Sequence, residues 1–223
     1  MSDEILSDAA FDRRLITAAF RLAAARGWRR VSIVDAAREA DLKLDRARER
    51  FAGRHALLRR FGRLADQAAL AETPTEGSVR DRLFDLMMRR IDFLQIHRAG
   101  MLALLRALPA DPAMALLLGC ANRRSLGWML NAAGVSAGDG PIFHLRVSAL
   151  LAVWLWTLRA WQRDEAPDLS TTMAALDQGL SRAERAASWL SRSRSGPGGA
   201  PEQAMEPAPD EATPASEPPR SAV

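Results

Sequence analysis

The chain has 223 residues, 48% of them hydrophobic, and a formal net charge of +4, so one large or two small domains with a sizeable core are expected. Its single cysteine, Cys120, excludes an internal disulfide and is typical of a reducing cytoplasm. The acidic N-terminus lacks the apolar stretch of a signal peptide, and no uninterrupted apolar run approaches the roughly 20 residues that span a bilayer, so we expect a cytoplasmic protein without a membrane span.

The composition predicts an all-α fold, because Ala, Leu and Arg are plentiful, Gly and β-branched residues are sparse, and strand-like alternation is absent. The first part, residues 9–71, divides into four helices. The first ends at Gly27, Ser32 caps a short second helix, and Asp41 makes a tight turn in the left-handed region. A short third helix, 44–51, follows, and a fourth runs over 54–70. Two short helices joined by such a turn form a helix-turn-helix arrangement.

Positive charge is concentrated in this part of the chain. Residues 26–63 carry twelve basic side chains and five acids, a local excess of +7, whereas the whole chain has only +4. Basic residues clustered on a helical frame are typical of contact with a phosphate backbone. The candidate DNA-contacting residues are Ser32, Lys43, Arg46, Arg48, Arg50 and Arg54. We expect Lys43, Arg46 and Arg50 to reach bases or phosphates, and the other three to hold phosphates. The alternative is a solvated basic face in which Arg46 and Arg50 pair with neighbouring acids.

A breaker cluster at residues 72–77 predicts a domain boundary, followed by a helical domain over 78–190. Its helices are expected at 79–97, 99–108, 112–133, 141–162 and 168–190. The helix over 141–162 is apolar around most of its circumference, which predicts burial in a bundle core or a dimer interface. Residues 191–223 form a predicted disordered tail, because the segment 195–223 alone holds seven of the chain's twelve prolines.

Tryptophan and methionine side chains suggest a ligand pocket in this second domain. Trp128, Met129, Trp154 and Trp161 are the candidate lining residues for an apolar small-molecule effector. Ordinary core or a dimer interface remains the competing interpretation for each of them, and Trp156, on another side of its helix, suits an interface.

The sequence gives no positive support for enzymatic activity, a cofactor or a metal site. It contains no GxSxG, Walker A, GxGxxG or HExxH motif. His55, His97 and His144 are far apart, and none has Cys, Asp or Glu at metal-ligand spacing.

The first part resembles the DNA-binding domain of the TetR family of repressors. The resemblance covers residues 12 to about 60 and is carried by the Gly27-Trp28 pair, the Val31-Ser32 entry, the segment DAAREADL and the segment GRHALL. It implies a homodimer that places its short reading helix in the major groove of double-stranded DNA. It also implies a helical domain that binds an effector. The expected function is therefore a ligand-responsive transcriptional regulator, in the simplest case a repressor.

The second part is similar to a lipid-binding accessory protein family of ubiquinone biosynthesis, which shares the TetR fold without acting as a repressor. The segments SVRDRLFDLMMRRIDFL and LLAVWLWTLRAWQRDEAPDL, within residues 78–185, carry this similarity. The alternative function is thus a lipid-binding accessory protein with a degenerate DNA-binding surface. Departures from the TetR pattern at Asp41, Asp45 and Arg48 favour it, whereas the +7 excess opposes it.

Overall fold

The structure is a computed structural model that describes residues 6–72, 76–136 and 140–194, and these residues contain α-helices and short 3-10 turns but no strand. The all-α prediction is therefore confirmed. The helices are α1 (Asp8–Arg26), α2 (Ile33–Glu39), α3 (Leu44–Arg50), α4 (Arg54–Leu70), α5 (Val79–Gln95), α6 (Arg98–Ala107), α7 (Pro112–Ala132), α8 (Pro141–Arg163) and α9 (Ser170–Arg194). Two 3-10 turns, Trp28–Arg30 and Leu108–Ala110, were not predicted.

Local capping chemistry explains where several helices begin and end. The Ser32 hydroxyl accepts a hydrogen bond from the Asp35 amide at the start of α2, and Ser78 and Asp81 form a reciprocal capping box at the start of α5. Gly27 ends α1 with a φ of 83°. Asp41 has a φ of 51°, as predicted for the turn between α2 and α3, and this conformation lets the chain reverse direction without glycine.

The hydrophobic core is continuous from the first four helices into the rest of the chain. Helix α6 packs on α1 so closely that a Cβ on Gly100 would lie 2.3 Å from the Phe20 carbonyl oxygen. Beside this contact, the ring of His97 stacks on Phe20 at 5.3 Å between centroids and also contacts the rings of Phe61 and Phe93. Of the predicted boundary at 72–77, residues 73–75 lie outside the described residues.

The second part is a helical bundle in which α8 packs between α7 and α9. A buried polar joint links α8 to α9 and α6: Asp164 accepts hydrogen bonds from the backbone and side chain of Thr172, both at 2.7 Å, while its carbonyl accepts one from Arg98. Burial alone would raise the pKa of Asp164, but the hydrogen bonds from Thr172 and Ala166 outweigh it and lower the pKa.

Two sequence-based expectations for the C-terminal part need adjustment. Helix α9 continues to Arg194, four residues beyond the predicted end of the last helix at 190, and the remainder of the predicted tail, 195–223, lies outside the described residues. Within the part of the chain that the structure describes, α8 has the length and hydropathy of a membrane-spanning helix, as does the sharply bent pair formed by α6 and α7 if taken as one segment. Buried residues of α8 belong to the common core, however, and such helices are also found in the cores of soluble proteins.

Candidate nucleic-acid interface

A groove of about 540 Å³ opens where the N-terminal ends of α2 and α4 meet the outer side of α3. It is lined by Arg29, Arg30, Val31, Ser32, Ile33, Val34, Leu44, Ala47, Arg48, Phe51, Ala52, Gly53 and Arg54. Four of these residues are arginines and none is acidic, so the groove presents a cationic surface of the kind that attracts phosphate groups.

The position of α3 is set by burial and by the turn before it. Ala47 and Phe51 are 1% and 3% exposed, and the Leu42 amide donates to the Ala37 carbonyl at 2.9 Å. This packing directs Leu44 and Arg48 towards the groove and leaves Asp45 and Glu49 exposed on the adjoining side of α3.

Arg46 and Arg50 do not project outward from α3, in contrast to the expectation that they reach bases or phosphates. Arg46 Nη2 donates to both the Asp8 carboxylate and the Leu6 carbonyl at 2.8 Å, and the Arg46 guanidinium lies over the Phe11 ring. Arg50 holds the Asp12 carboxylate with two hydrogen bonds, of 2.7 Å and 3.0 Å, and pairs with Asp8 at 2.6 Å. Both side chains therefore fasten α3 to α1, and this geometry argues against their contacting DNA directly.

Asp12 is the centre of this network, being only 2% exposed and also accepting a 2.7 Å hydrogen bond from Arg60 on α4. The hydrogen bond that Arg50 donates to Asp12, opposed by desolvation, raises the pKa of Arg50 further above its usual value. The hydrogen bond from Arg46 likewise lowers the pKa of Asp8. The guanidinium groups of Arg46, Arg50 and Arg60 are thus matched by acids of α1, so the +7 excess overstates the positive charge offered to a partner.

The other four candidate residues are placed at or beside the groove. Arg48 and Lys43 are exposed, with Lys43 immediately before α3, while Arg54 lies at the first position of α4 and donates to the Arg29 carbonyl at 3.1 Å. The Ser32 hydroxyl accepts from the Asp35 amide and donates to the Asp35 carboxylate at 2.7 Å. Because this hydroxyl is used to cap α2, Ser32 lines the groove mainly as backbone.

Four groove residues that are charged or exposed and apolar were not among the candidate residues. Arg29 and Arg30 occupy the 3-10 turn after Trp28, and Val34 and Leu44 are apolar side chains that remain 45% and 43% exposed. The Arg-Arg pair one residue before the Ser32 cap, separated from it by Val31, was a visible signal. Exposed apolar residues at the start of two short helices are a second signal, since such residues have no core to enter and suit contact with thymine methyl groups.

The four candidate pocket residues do not lie together. Trp128 is 66% exposed on α7, whereas Met129, Trp154 and Trp161 are at most 2% exposed. Trp161 Nε1 donates a 2.8 Å hydrogen bond to Gln95, and the Arg98 guanidinium lies over the Trp161 ring. The Arg90 guanidinium lies over the Trp154 ring, 4.7 Å from its centroid. Trp128 therefore cannot line a common cavity with the other three.

Comparisons with known proteins bear on the fold. The sequence matches no protein-family model and no curated protein. A TetR transcriptional regulator from Nitrosomonas europaea superposes with a TM-score of 0.64 at 22% identity, over 78% of this chain and 98% of that one. A TetR-family regulator from Streptomyces coelicolor superposes with a TM-score of 0.61 at 19% identity, over 85% and 87% of the two chains. The chain therefore has the fold of the TetR-family transcriptional regulators.

Proposed function

We propose that the protein is a homodimeric transcriptional regulator of the TetR type, acting as a repressor, that binds double-stranded DNA through the groove face of α2, α3 and α4. The observation that carries this proposal is the groove, which is lined by four arginines and by no acid. It lies on two short helices that are joined by the tight turn at Asp41.

The groove suggests a division of roles among its residues. Arg29, Arg30 and Arg54, close to the N-terminal end of α4, hold the DNA backbone, together with Lys43. Arg48 reaches a phosphate or a guanine edge. Val34 and Leu44 lie against base edges in the major groove, where a thymine methyl group is their natural partner.

A homodimer is supported by the exposed side of α8. Leu155 and Trp156 are 52% and 49% exposed, and Leu145 and Ala149 are exposed one to three turns earlier on the same helix. Large apolar side chains grouped on a helix that also belongs to the core are typical of a subunit interface. Binding of such a dimer to two half-sites one DNA turn apart requires its two copies of α3 to lie roughly 34–36 Å apart.

Control by an apolar effector completes the proposal. Helix α4 starts at the groove with Arg54 and contacts α5 and α7 of the bundle, so a ligand among these helices would move the groove residues. Such a ligand changes DNA affinity only to the extent that it binds the two arrangements of α4 differently.

The alternative, a lipid-binding accessory protein on the same fold, is favoured by the exposed acids of α3. Asp45 and Glu49 would stand near phosphates, and the pairing of Arg46 and Arg50 within the fold removes two cations that could offset them. Lipid recovered by mass spectrometry from the purified protein, together with only nonspecific DNA binding, would support this function.

Variants of two groove arginines, one on α3 and one at the start of α4, test the DNA-binding surface. We expect the wild-type protein to retain the DNA upstream of its own gene with an affinity that falls steeply as salt rises. Arg48→Ala and Arg54→Ala should each weaken binding about tenfold or more and reduce the salt slope by about one. Unchanged affinity in both variants would contradict the assignment of this face.

A further inference from the structure

A polar cluster lies inside the bundle where four helices meet. It consists of Asp66 on α4, Arg90 on α5, Ser125 on α7 and Trp154 on α8. The Ser125 hydroxyl donates to Asp66 Oδ2, Arg90 Nε lies 3.3 Å from Asp66 Oδ1, and the Arg90 guanidinium lies 4.7 Å from the Trp154 ring centroid. Nothing in the DNA-binding groove uses these residues.

The cluster holds more hydrogen-bonding capacity than its own members satisfy. The Arg90 and Trp154 residues are 5% and 2% exposed, yet Arg90 Nε, Arg90 Nη1, Trp154 Nε1 and Asp66 Oδ1 have no hydrogen-bond partner. Burial lowers the pKa of Arg90 while the charge of Asp66 opposes this effect. A buried cation with unmade hydrogen bonds is costly to the fold, which indicates a site that a ligand completes.

The unmade bonds define the chemistry of that ligand. Two different donors, a guanidinium and an indole N–H on the ring beneath it, lie together and favour an anionic acceptor. A planar carboxylate matches the fork of an arginine, whereas a dianion would add excess negative charge beside Asp66. The surrounding core is apolar and contains the fully buried Met87 and Met129, whose flexible side chains can adapt to an inserted chain.

We propose that this cluster binds the carboxylate of an apolar monocarboxylic acid, which accepts hydrogen bonds from Arg90 and Trp154 and displaces Asp66. The Asp66 side chain is 21% exposed, so it can turn from the bundle towards water when the ligand replaces it. The proposal names the chemical class of the effector and rests on the proposed function only for what the ligand does to DNA binding.

That consequence follows from the position of Asp66 on α4. The same helix begins at the groove with Arg54, twelve residues or about 18 Å away along its axis. An acid that takes Arg90 from Asp66 removes one of the contacts that position α4 against the bundle, and so favours a different position of α4 and of the groove residues at its start.

Ligand binding by the full-length protein without DNA tests the site independently of the proposed function. The probes are decanoate and 1-decanol at pH 7.5, below their aggregation limits, measured by calorimetry. Wild type should prefer decanoate by about tenfold or more, the usual effect of hydrogen bonds to a charged group. Arg90→Met should abolish that preference, and Arg106→Met, which removes an exposed arginine of α6, should keep it.

Asp66→Asn gives the opposite prediction and keeps the test decisive if the Arg90 variant fails to fold. Removing the competing carboxylate should tighten decanoate binding severalfold and leave decanol unchanged, which a purely structural role for Asp66 would not produce. Equal binding of decanoate and decanol by wild type, or weaker decanoate binding by Asp66→Asn, would overturn the proposal. A wild-type protein that prefers decanoate but does not bind the DNA upstream of its own gene would instead overturn the regulator function and leave the acid site standing.

Discussion

Asp12 is a buried carboxylate that fixes the orientation of α3. It lies on α1 and joins Arg50 of α3 to Arg60 of α4. Asp12→Asn should lower the free energy of unfolding by roughly 2–3 kcal/mol, since it leaves Arg60 without its charge partner and Arg50 with only the exposed Asp8. Urea denaturation measures this loss, and DNA affinity should fall with it because α3 is no longer held at its angle.

The matched control is Asp8→Asn, which changes an exposed acid of the same network. Its side chain is 66% exposed, so solvent compensates for the lost pairing and stability should change little. If both variants were equally stable, Asp12 would not have the structural role that its burial indicates.

His97 predicts a pH dependence of stability at the junction of α1, α4, α5 and α6. Burial among three aromatic rings lowers its pKa below the usual 6.5, so the unfolded chain binds the proton more readily than the folded one. The stability that neutral His97 contributes to the fold is therefore present above about pH 6.5, and the free energy of unfolding decreases as the pH falls below that value.

Unfolding in urea at several values between pH 7.5 and 5.5 would measure this dependence. We expect the fall in stability to be smaller in His97→Phe, which keeps an aromatic ring but cannot titrate, and to persist in His55→Gln, which changes an exposed histidine. The same slope in wild type and His97→Phe would rule out His97 as its source.

At the scale of helices, the contact between α1 and α6 depends on a missing side chain. A Cβ on Gly100 would lie 2.3 Å from the Phe20 carbonyl oxygen, which is backbone and cannot turn aside. Gly100→Ala should therefore destabilise the protein by about 1–3 kcal/mol, as for other overpacked cores. Thermal unfolding measures the change.

Gly119 provides the comparison, because a Cβ there would meet nothing within 4 Å. Gly119→Ala, inside α7, should stabilise the protein by about 0.5–1 kcal/mol through the better helix propensity of alanine. Opposite signs for the two substitutions would confirm that the approach of α6 to α1, rather than glycine content, sets the effect at Gly100.

Helix positions could be predicted from the sequence because their signals are local. The caps at Ser32 and Ser78, the turn at Asp41 and the apolar stripes lie within a few residues of the ends they determine. The directions of Arg46 and Arg50 could not be predicted in this way, since their partners Asp8 and Asp12 precede them by 38 residues. The exposure of Trp128 was missed for the same reason: spacing along α7 does not show which side of that helix the rest of the bundle covers.

At the scale of the whole molecule, the proposed function depends on pairing two groove faces through α8. Trp156 is 49% exposed, and Arg182 of α9 lies over its ring at 5.8 Å. Trp156→Glu would place a carboxylate in the proposed interface, where a buried charge without a partner is costly, while leaving the monomer fold intact. Sedimentation should therefore show monomers at micromolar concentration.

DNA binding should fail together with dimerisation, because each half-site contact would then form separately instead of being joined in one molecule. We expect a loss of affinity of about 100-fold or more and a smaller dependence on salt, since a monomer neutralises fewer phosphates per binding event. Trp128→Glu makes the same substitution at a tryptophan that is 66% exposed on α7 and should remain dimeric and bind DNA normally. A Trp156→Glu protein that still sediments as a dimer would place the subunit interface elsewhere on the bundle.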